Sequence, residues 1–232
     1  MNNLLGVPFE KVDGKGIMLS DLSFSNPKGG LGATSADQIK LWVVQEDGGY
    51  DYDTWYLNTS GVWKRSGDSK AVFENEYPNG LPAGTALWYK AKKRSDGAGT
   101  VTTSGGVVND EWVDYTLIRN EYNFISFPYP VAFDPTDSNM VDWGDYKGGL
   151  GATSADQIKL WVLQEDGSYD YEVWYINTSG VWKKSGDSKA TWAGTHPNGV
   201  TVGTGFWYKA YTKAGSDSFT VRFKSPLAKS VE

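Results

Sequence analysis

The chain has 232 residues and a formal net charge of −6, with no cysteine and one histidine. The lack of cysteine excludes disulfide bonds, thiolate metal sites and cysteine nucleophiles. Acidic and basic residues are interspersed, which disfavours nucleic acid as a partner, and no apolar run is long enough for membrane insertion. The 34 aromatic residues (11 Trp, 14 Tyr and 9 Phe) and 28 glycines predict β-sheet joined by turns.

An internal repeat dominates the sequence. Residues 28–71 align with residues 147–190 at an offset of 119, and the two blocks differ at six of 44 positions. Weaker matches extend this alignment toward both ends of each copy. Solenoid units run about 20–50 residues, so a period of this length indicates two whole domains in series. We therefore predict one domain at residues 1–110 and a second at residues 111–232.

The apolar pattern of the first copy predicts five strands in chain order. Residues 4–9 form the first, and the proline within it indicates an edge position or a bulge. A three-stranded meander follows at residues 39–46, 50–58 and 62–65, because Asp-Gly-Gly and Thr-Ser-Gly turns separate these segments. Residues 86–91 form the next strand. The sequence thus predicts an all-β protein made of two tandem, homologous, small β-sandwich or β-barrel domains.

One predicted strand of the second copy has no equivalent in the first. Residues 112–118 alternate in polarity and precede the strand at residues 124–129, whereas nothing comparable precedes residues 4–9. One interpretation is a chain boundary or a variation in how the repeat is capped. The other is an open edge at residues 4–9, filled by a strand from a neighbouring copy, which would assemble copies head to tail.

Aromatic residues alternate along the central strand of each meander, which places them on one face of the sheet. Flat aromatic rings stack on sugar rings, so the stripe predicts a weak glycan site in each copy that gains strength from bivalency. The alternative is that these rings form the core of a small β domain. The candidate ligand-binding residues are Tyr50, Tyr52, Tyr56 and Trp63, with Tyr169, Tyr171, Tyr175 and Trp182 as their counterparts.

Acidic residues near the turns predict calcium as the one cofactor to consider, since Ca²⁺ takes oxygen ligands from such loops. The candidate calcium ligands are Asp47, Asp51, Asp53, Asp166, Asp170 and Glu172. The alternative is that the Asp-Gly pairs are simply hairpin turns. The spacing of these acids matches no known calcium loop.

Catalytic motifs are missing from the sequence, and we expect no enzyme. His196 precedes a Pro-Asn-Gly turn and aligns with Tyr77, so we interpret it as an exposed turn residue. The glycine-rich run at residues 29–32 lacks the following helix that a dinucleotide-binding loop requires. A carboxylate pair of the glycoside-hydrolase kind is the one enzymatic hypothesis that residue types leave open.

A pattern of turns and aromatics recurs in the two copies. It comprises residues 36–42, 61–63 and 81–89 in the first copy and residues 155–161, 180–182 and 203–208 in the second. This pattern resembles that of tandem β-domain repeats in secreted and cell-surface bacterial proteins. The resemblance implies an extracellular or cell-surface location and no known catalytic activity, and it transfers no binding residues. The second copy departs from the pattern at residues 200–202.

These observations support three functional hypotheses in order. The first is a non-catalytic surface structural or adhesion module that assembles head to tail with copies of itself. The second is a bivalent carbohydrate-binding module whose partners are surface glycans. The third is a hydrolase that acts on glycans.

Overall fold

The computed structural model describes residues 2–92 and 100–226. Strands account for most of the regular structure, and the all-β fold class is confirmed. Residues 93–99 and 227–232, which belong to the two predicted domains, lie outside the described residues. The helical segments in the described part are single turns, namely Leu19–Asp21, α1 (Phe73–Glu76) and α2 (Trp192–Thr195).

The first repeat, residues 1–110, forms a large and a small antiparallel sheet. Its strands are β1 (Asn2–Gly6), β2 (Ser23–Phe24), β3 (Gln38–Val44), β4 (Tyr50–Leu57), β5 (Trp63–Arg65), β6 (Asp68–Val72), β7 (Ala86–Lys90) and β8 (Val101–Thr102). The large sheet has the order β1-β7-β3-β4-β5-β6, and β2 pairs with β8 in the small one. The predicted meander therefore corresponds to β3, β4 and β5, with ends within two residues of the prediction.

The second repeat, residues 111–232, builds a corresponding large sheet of five strands, one fewer than in the first repeat, and a wider small sheet. Its strands are β9 (Trp112–Ile118), β10 (Tyr122–Ser126), β11 (Val141–Asp142), β12 (Gln157–Leu163), β13 (Tyr169–Ile176), β14 (Trp182–Lys184), β15 (Gly205–Lys209) and β16 (Ser218–Lys224). The sheet orders are β10-β15-β12-β13-β14 and β11-β16-β9. The strand predicted at residues 112–118 is present as β9.

Each repeat encloses an aromatic core between its two sheets. Trp55 and Trp174 are fully buried at equivalent places, and Leu57 lies in the same core as Trp55, as the alternation along β4 predicts. Ala83 and Val108 precede residue 111 but pack into the core of the second repeat. The division of the chain at residues 110 and 111 stays a prediction.

A fully buried aspartate holds the glycine-rich loop of each repeat against the large sheet. In the first repeat, the Asp37 carboxylate accepts hydrogen bonds from the Tyr89 hydroxyl at 2.8 Å and from the backbone N–H groups of Lys28 and Lys92 at 2.9 and 2.7 Å. Asp156 has the equivalent partners in the second repeat. Because three donors converge on each carboxylate, the cost of burying its charge is offset.

The two large sheets meet edge to edge across a pseudo-twofold axis. The N–H of Gly6 donates to the carbonyl of Gly203 at 2.7 Å, and the N–H of Ser126 donates to the carbonyl of Gly84 at 2.8 Å. These two bonds are equivalent, since Gly6 and Ser126 end the matching strands β1 and β10, one residue off the main offset, and Gly84 aligns with Gly203. We call this contact the junction. It brings the end of β1 close to β15 and the end of β10 close to β7.

The structure places β1 at the edge of its sheet, and the junction covers the end of the edge that was predicted to be open at residues 4–9. The backbone of β1 pairs with β7 on one side, and Gly6 is bound to the second repeat on the other. The extra strand of the second repeat does not extend the large sheet either, because β9 pairs with β16 in the small sheet. Its equivalent position in the first repeat therefore lies beside β8.

We expect Asp37→Ala to lower the free energy of unfolding by about 3 kcal/mol or more, because it leaves three converging donors without their acceptor. Urea unfolding followed by tryptophan fluorescence measures this loss. The control is Asp51→Ala, since Asp51 is exposed and accepts only from the adjacent Tyr52 N–H. We expect a change below about 0.5 kcal/mol for this control. Equal losses in the two variants would contradict the role of the buried carboxylate.

Candidate functional site

The outer face of each meander carries a tryptophan and a tyrosine as a cross-strand pair. Trp42 on β3 lies opposite Tyr52 on β4, and their ring centroids are 4.9 Å apart at 66°. Trp161 and Tyr171 form the equivalent pair at 4.9 Å and 65°. Edge-on ring pairs of this kind are favourable on a sheet face. The faces that carry them are turned toward the junction.

Tryptophans from the two repeats contact each other at the junction. Trp42 lies 5.4 Å from Trp207 at 89°, and Trp88 lies 5.6 Å from Trp161 at 76°. Leu4, Trp88 and Trp207 form a small buried cluster of their own, separate from the two larger core clusters. The exposed sides of these rings are therefore held in fixed positions by both repeats.

A pocket of about 300 Å³ opens beside this cluster, and we call it the junction pocket. Its lining residues are Trp42, Tyr52, Tyr122, Lys159, Tyr171 and Trp207. Two of them come from the first repeat and four from the second. This volume is at the lower end of the range for small-molecule sites.

Tyr122 forms one wall of the junction pocket and is fixed by two lysines. The Lys159 ammonium donates to the Tyr122 hydroxyl at 2.6 Å and lies 4.5 Å from the ring centroid. Lys209 lies 4.8 Å from the same centroid. Cations over an aromatic face are attracted by its quadrupole, so the ring is held although it is 36% exposed. The backbone carbonyl of Tyr122 also accepts the indole N–H of Trp42 at 2.8 Å.

Of the three tyrosines that line the pocket, Tyr52 and Tyr171 have neutral hydroxyls that are oriented by hydrogen bonds. Burial raises the pKa of Tyr52 and of Tyr171, although hydrogen bonds from Trp88 and Trp207 oppose this shift. Those bonds run from the Trp88 indole N–H to Tyr52 at 3.0 Å and from the Trp207 indole N–H to Tyr171 at 3.2 Å. Each hydroxyl accepts from an indole and keeps its own proton to donate to a ligand.

The structure distributes the predicted ligand-binding residues over three environments. Tyr52 and Tyr171 come together in one pocket, while Tyr50 and Tyr169 stack beside it on Trp42 and Trp161 at 6.1 Å. Tyr56 is 7% exposed and Tyr175 is half-buried, and neither lines the junction pocket. Trp63 and Trp182 lie in the two cores with 4% exposed.

Four pocket residues were not predicted, namely Trp42, Tyr122, Lys159 and Trp207. Trp42 had a signal in the sequence, because a hairpin with a turn at residues 47–49 places it opposite Tyr52. The other three come from the second repeat. Their place in the pocket depends on how the sheets meet, which strand alternation does not encode.

The structure does not bring the predicted calcium ligands together. No group of three or more acidic or histidine side chains with metal-binding geometry occurs in residues 2–92 and 100–226. Asp47 and Asp166 bind the N–H of residues 49 and 168 within their own turns, and Asp51 and Asp170 bind the N–H of the next residue. Asp53 is bound by Arg65, Trp55 and Tyr77.

Glu172 is the counterpart of Asp53 and binds three donors. Its carboxylate lies 2.5 Å from the His196 imidazole, 2.5 Å from the Lys184 ammonium and 2.6 Å from the Trp174 indole nitrogen. The interpretation of His196 as an exposed turn residue was wrong, because only 18% of its side chain is exposed. Burial raises the pKa of the Glu172 carboxyl, but the hydrogen bonds from His196 and Lys184 outweigh burial and hold the pKa at about 2.

Comparison of the chain with protein-family models, curated proteins and solved structures gives no match. Among the described residues, no helix is long and apolar enough to cross a membrane. Function is therefore inferred from the side chains at the junction.

We expect the second repeat to lose stability as the pH falls from about 4.5 to about 2. The folded-state pKa of Glu172 is depressed, so its stabilising contribution is complete above the unfolded pKa and is lost as pH falls through the folded one. Melting temperatures measured by circular dichroism across this range test it. Glu172→Gln should melt lower at pH 7 and show a flatter decline in acid.

The matched control for this prediction is Glu165→Gln, because Glu165 is exposed. It should keep the wild-type dependence of melting temperature on pH. A Glu172→Gln profile parallel to that of the wild type would contradict the assignment of this acid sensitivity to Glu172.

Proposed function

We propose that the protein is a non-catalytic adhesion module that works outside the cell, and that the junction pocket binds a sugar ring of a surface glycan. The observation that supports this most directly is the composition of the pocket, which combines aromatic rings from both repeats with one lysine. The extracellular location rests on the resemblance of the repeat motifs to those of secreted and cell-surface β repeats.

The arrangement of rings suits a saccharide. A sugar ring has apolar faces that pack on aromatic rings and hydroxyls at its edge that need hydrogen-bond partners. Trp42 and Trp207 meet almost at right angles, and both line the pocket. The Tyr52 and Tyr171 hydroxyls and the Lys159 ammonium supply donors around it.

Binding is a better match to the pocket than hydrolysis. Glycosidases of the common kind need two carboxyl groups about 5–10 Å apart at the scissile bond. The residues that line the junction pocket are aromatic or basic, and none of them is Asp or Glu. A glycan bound there contacts aromatic rings that stack on it and polar groups that donate hydrogen bonds to it.

One shared glycan site takes the place of the two equivalent sites predicted from the sequence. Tyr52 and Tyr171 share a single pocket, so the two stripes act together. The pseudo-twofold counterpart of this pocket differs in its wall, since the sequence has Asn2 where the second repeat has Tyr122. Only one side of the junction thus has the aromatic wall.

We expect Tyr122→Ala and Tyr52→Ala each to weaken binding of the glycan by about tenfold, the effect of losing one stacked ring. A glycan array with the intact chain identifies the ligand, and titration calorimetry then measures Kd for each variant. The fluorescence of Trp42 and Trp207 should change on binding, because both line the pocket.

The matched control is Tyr169→Ala, which removes the same side chain at a position outside the pocket. We expect it to bind as the wild type does. Failure of the intact chain to bind any glycan on the array, or equal losses in Tyr169→Ala and Tyr122→Ala, would refute the proposal.

A further inference from the structure

The second repeat contains a strand that completes its core from the small sheet. Strand β9 pairs with β16 along its whole length, and Val113, Tyr115 and Leu117 point inward. Leu117 is 1% exposed, and the Tyr115 ring lies 5.5 Å from that of Phe223. The inward side of β9 thus has the pattern apolar-x-Tyr-x-Leu.

The first repeat has a groove where β9 lies in the second. Strand β8 is the counterpart of β16, and among the described residues it pairs with β2 alone. The groove, of about 370 Å³, runs between residues 5–9 and residues 101–103, with Leu22 and Leu87 in its lining. Their equivalents Val141 and Phe206 belong to the core that Leu117 enters. We call this the acceptor groove.

The backbone of β8 faces the groove at two residues. The N–H of Ser25 donates to the carbonyl of Thr100 at 2.9 Å, which fixes the alternation of paired and unpaired residues between β2 and β8. On this register the backbone groups of Val101 and Thr103 point away from β2 and into the groove. The Thr103 hydroxyl is buried there without a hydrogen-bond partner in the described structure.

The far rim of the groove has room for a tyrosine side chain, whereas a tyrosine already occupies the equivalent position in the second repeat. In the second repeat, the Tyr115 hydroxyl donates to the Ala83 carbonyl and lies 1.5 Å from where a Cβ on Gly84 would be. The equivalent glycine at the acceptor groove is Gly203, and its nearest atom is 3.7 Å from the Cβ position. Beside it Val202 is 42% exposed, whereas Ala83 is 9% exposed.

From these features we infer that the acceptor groove binds an extended β strand of another polypeptide, with the inward pattern of β9. The incoming strand hydrogen-bonds to the backbone of Val101 and Thr103, places a tyrosine against Val202 and Gly203, and packs a leucine over Leu87. A bridge between Glu10 and Gly106 closes one end, so the groove takes the stretch equivalent to residues 113–117.

A separate polypeptide is the occupant that the packing favours. The chain's own β9 is paired with β16 over seven residues and is anchored by Leu117 in the core, so its release would open the second repeat. A strand from a separate polypeptide covers the apolar lining and supplies hydrogen-bond partners for the backbone groups that β8 presents. This interaction goes beyond glycan binding and uses a different surface.

The test is a synthetic peptide with the sequence of residues 111–119, labelled with fluorescein and titrated with the intact chain by fluorescence anisotropy. We expect saturable binding. Tyr115→Asp or Leu117→Asp in the peptide should weaken it about tenfold or more, because a charge then enters an apolar groove. Thr116→Asp in the peptide is the matched control, since this side chain points outward and the charge is the same.

Variants of the protein locate the site. Val101→Pro removes an N–H that faces the groove while the backbone of β8 that pairs with β2 is kept, so peptide binding should fall about tenfold or more. Thr100→Ala changes a nearby exposed side chain that does not line the groove and should bind normally. Hydrogen–deuterium exchange of the wild type should show new protection at residues 101–103, a readout that does not depend on how well Val101→Pro folds.

Three results would overturn the inference. They are the absence of saturable binding, equal binding of the Thr116→Asp and Leu117→Asp peptides, and protection at residues other than 101–103. Light scattering distinguishes a separate partner from a second copy of this chain. Concentration-dependent dimers that the peptide dissociates would identify a second copy of this chain and contradict a separate partner.

Discussion

The arrangement of the molecule depends on the two reciprocal backbone hydrogen bonds of the junction, from Gly6 to Gly203 and from Ser126 to Gly84. They join two sheet edges that would otherwise be exposed, and they fix the distance between the outer faces of the meanders. A Cβ on Gly6 would lie 2.4 Å from the Ser126 Cβ, so the approach requires glycine on one side. The junction pocket and the acceptor groove both border this contact.

Two residues of the near-identical blocks 28–71 and 147–190 make equivalent contacts in both repeats. Asp37 and Asp156 each gather three donors around a buried charge, and substitution at either position leaves those donors unpaired. Trp42 and Trp161 each reach across the junction to a tryptophan of the other repeat. Both copies of the block therefore meet the same two demands, in the core and at the junction, which favours a shared constraint on its sequence.

Local features of the fold could be predicted from the sequence, and features that depend on contact between the repeats could not. Strand alternation, which is local, puts Trp55 and Leu57 on the core face of β4 and Tyr52 on the opposite face. Nothing local indicates that Tyr52 and Tyr171 meet. The burial of His196 was also missed, because its partner Glu172 is 24 residues away on another element. The partners of Asp53 were equally hard to predict, since Arg65 and Tyr77 lie 12 and 24 residues away from it in sequence.

The functional surfaces arise where the two repeats differ. The two backbone hydrogen bonds of the junction are symmetric, but the sequence has Tyr122 where the first repeat has Asn2, and Tyr122 forms a wall of the junction pocket. In the same way, β9 fills the small sheet of the second repeat, while the matching place in the first repeat is an apolar groove with backbone groups directed into it. Two copies with identical edges would form two identical half-sites. On the functions proposed above, the second repeat supplies an aromatic ring for a small ligand, and the first repeat supplies the groove for a strand.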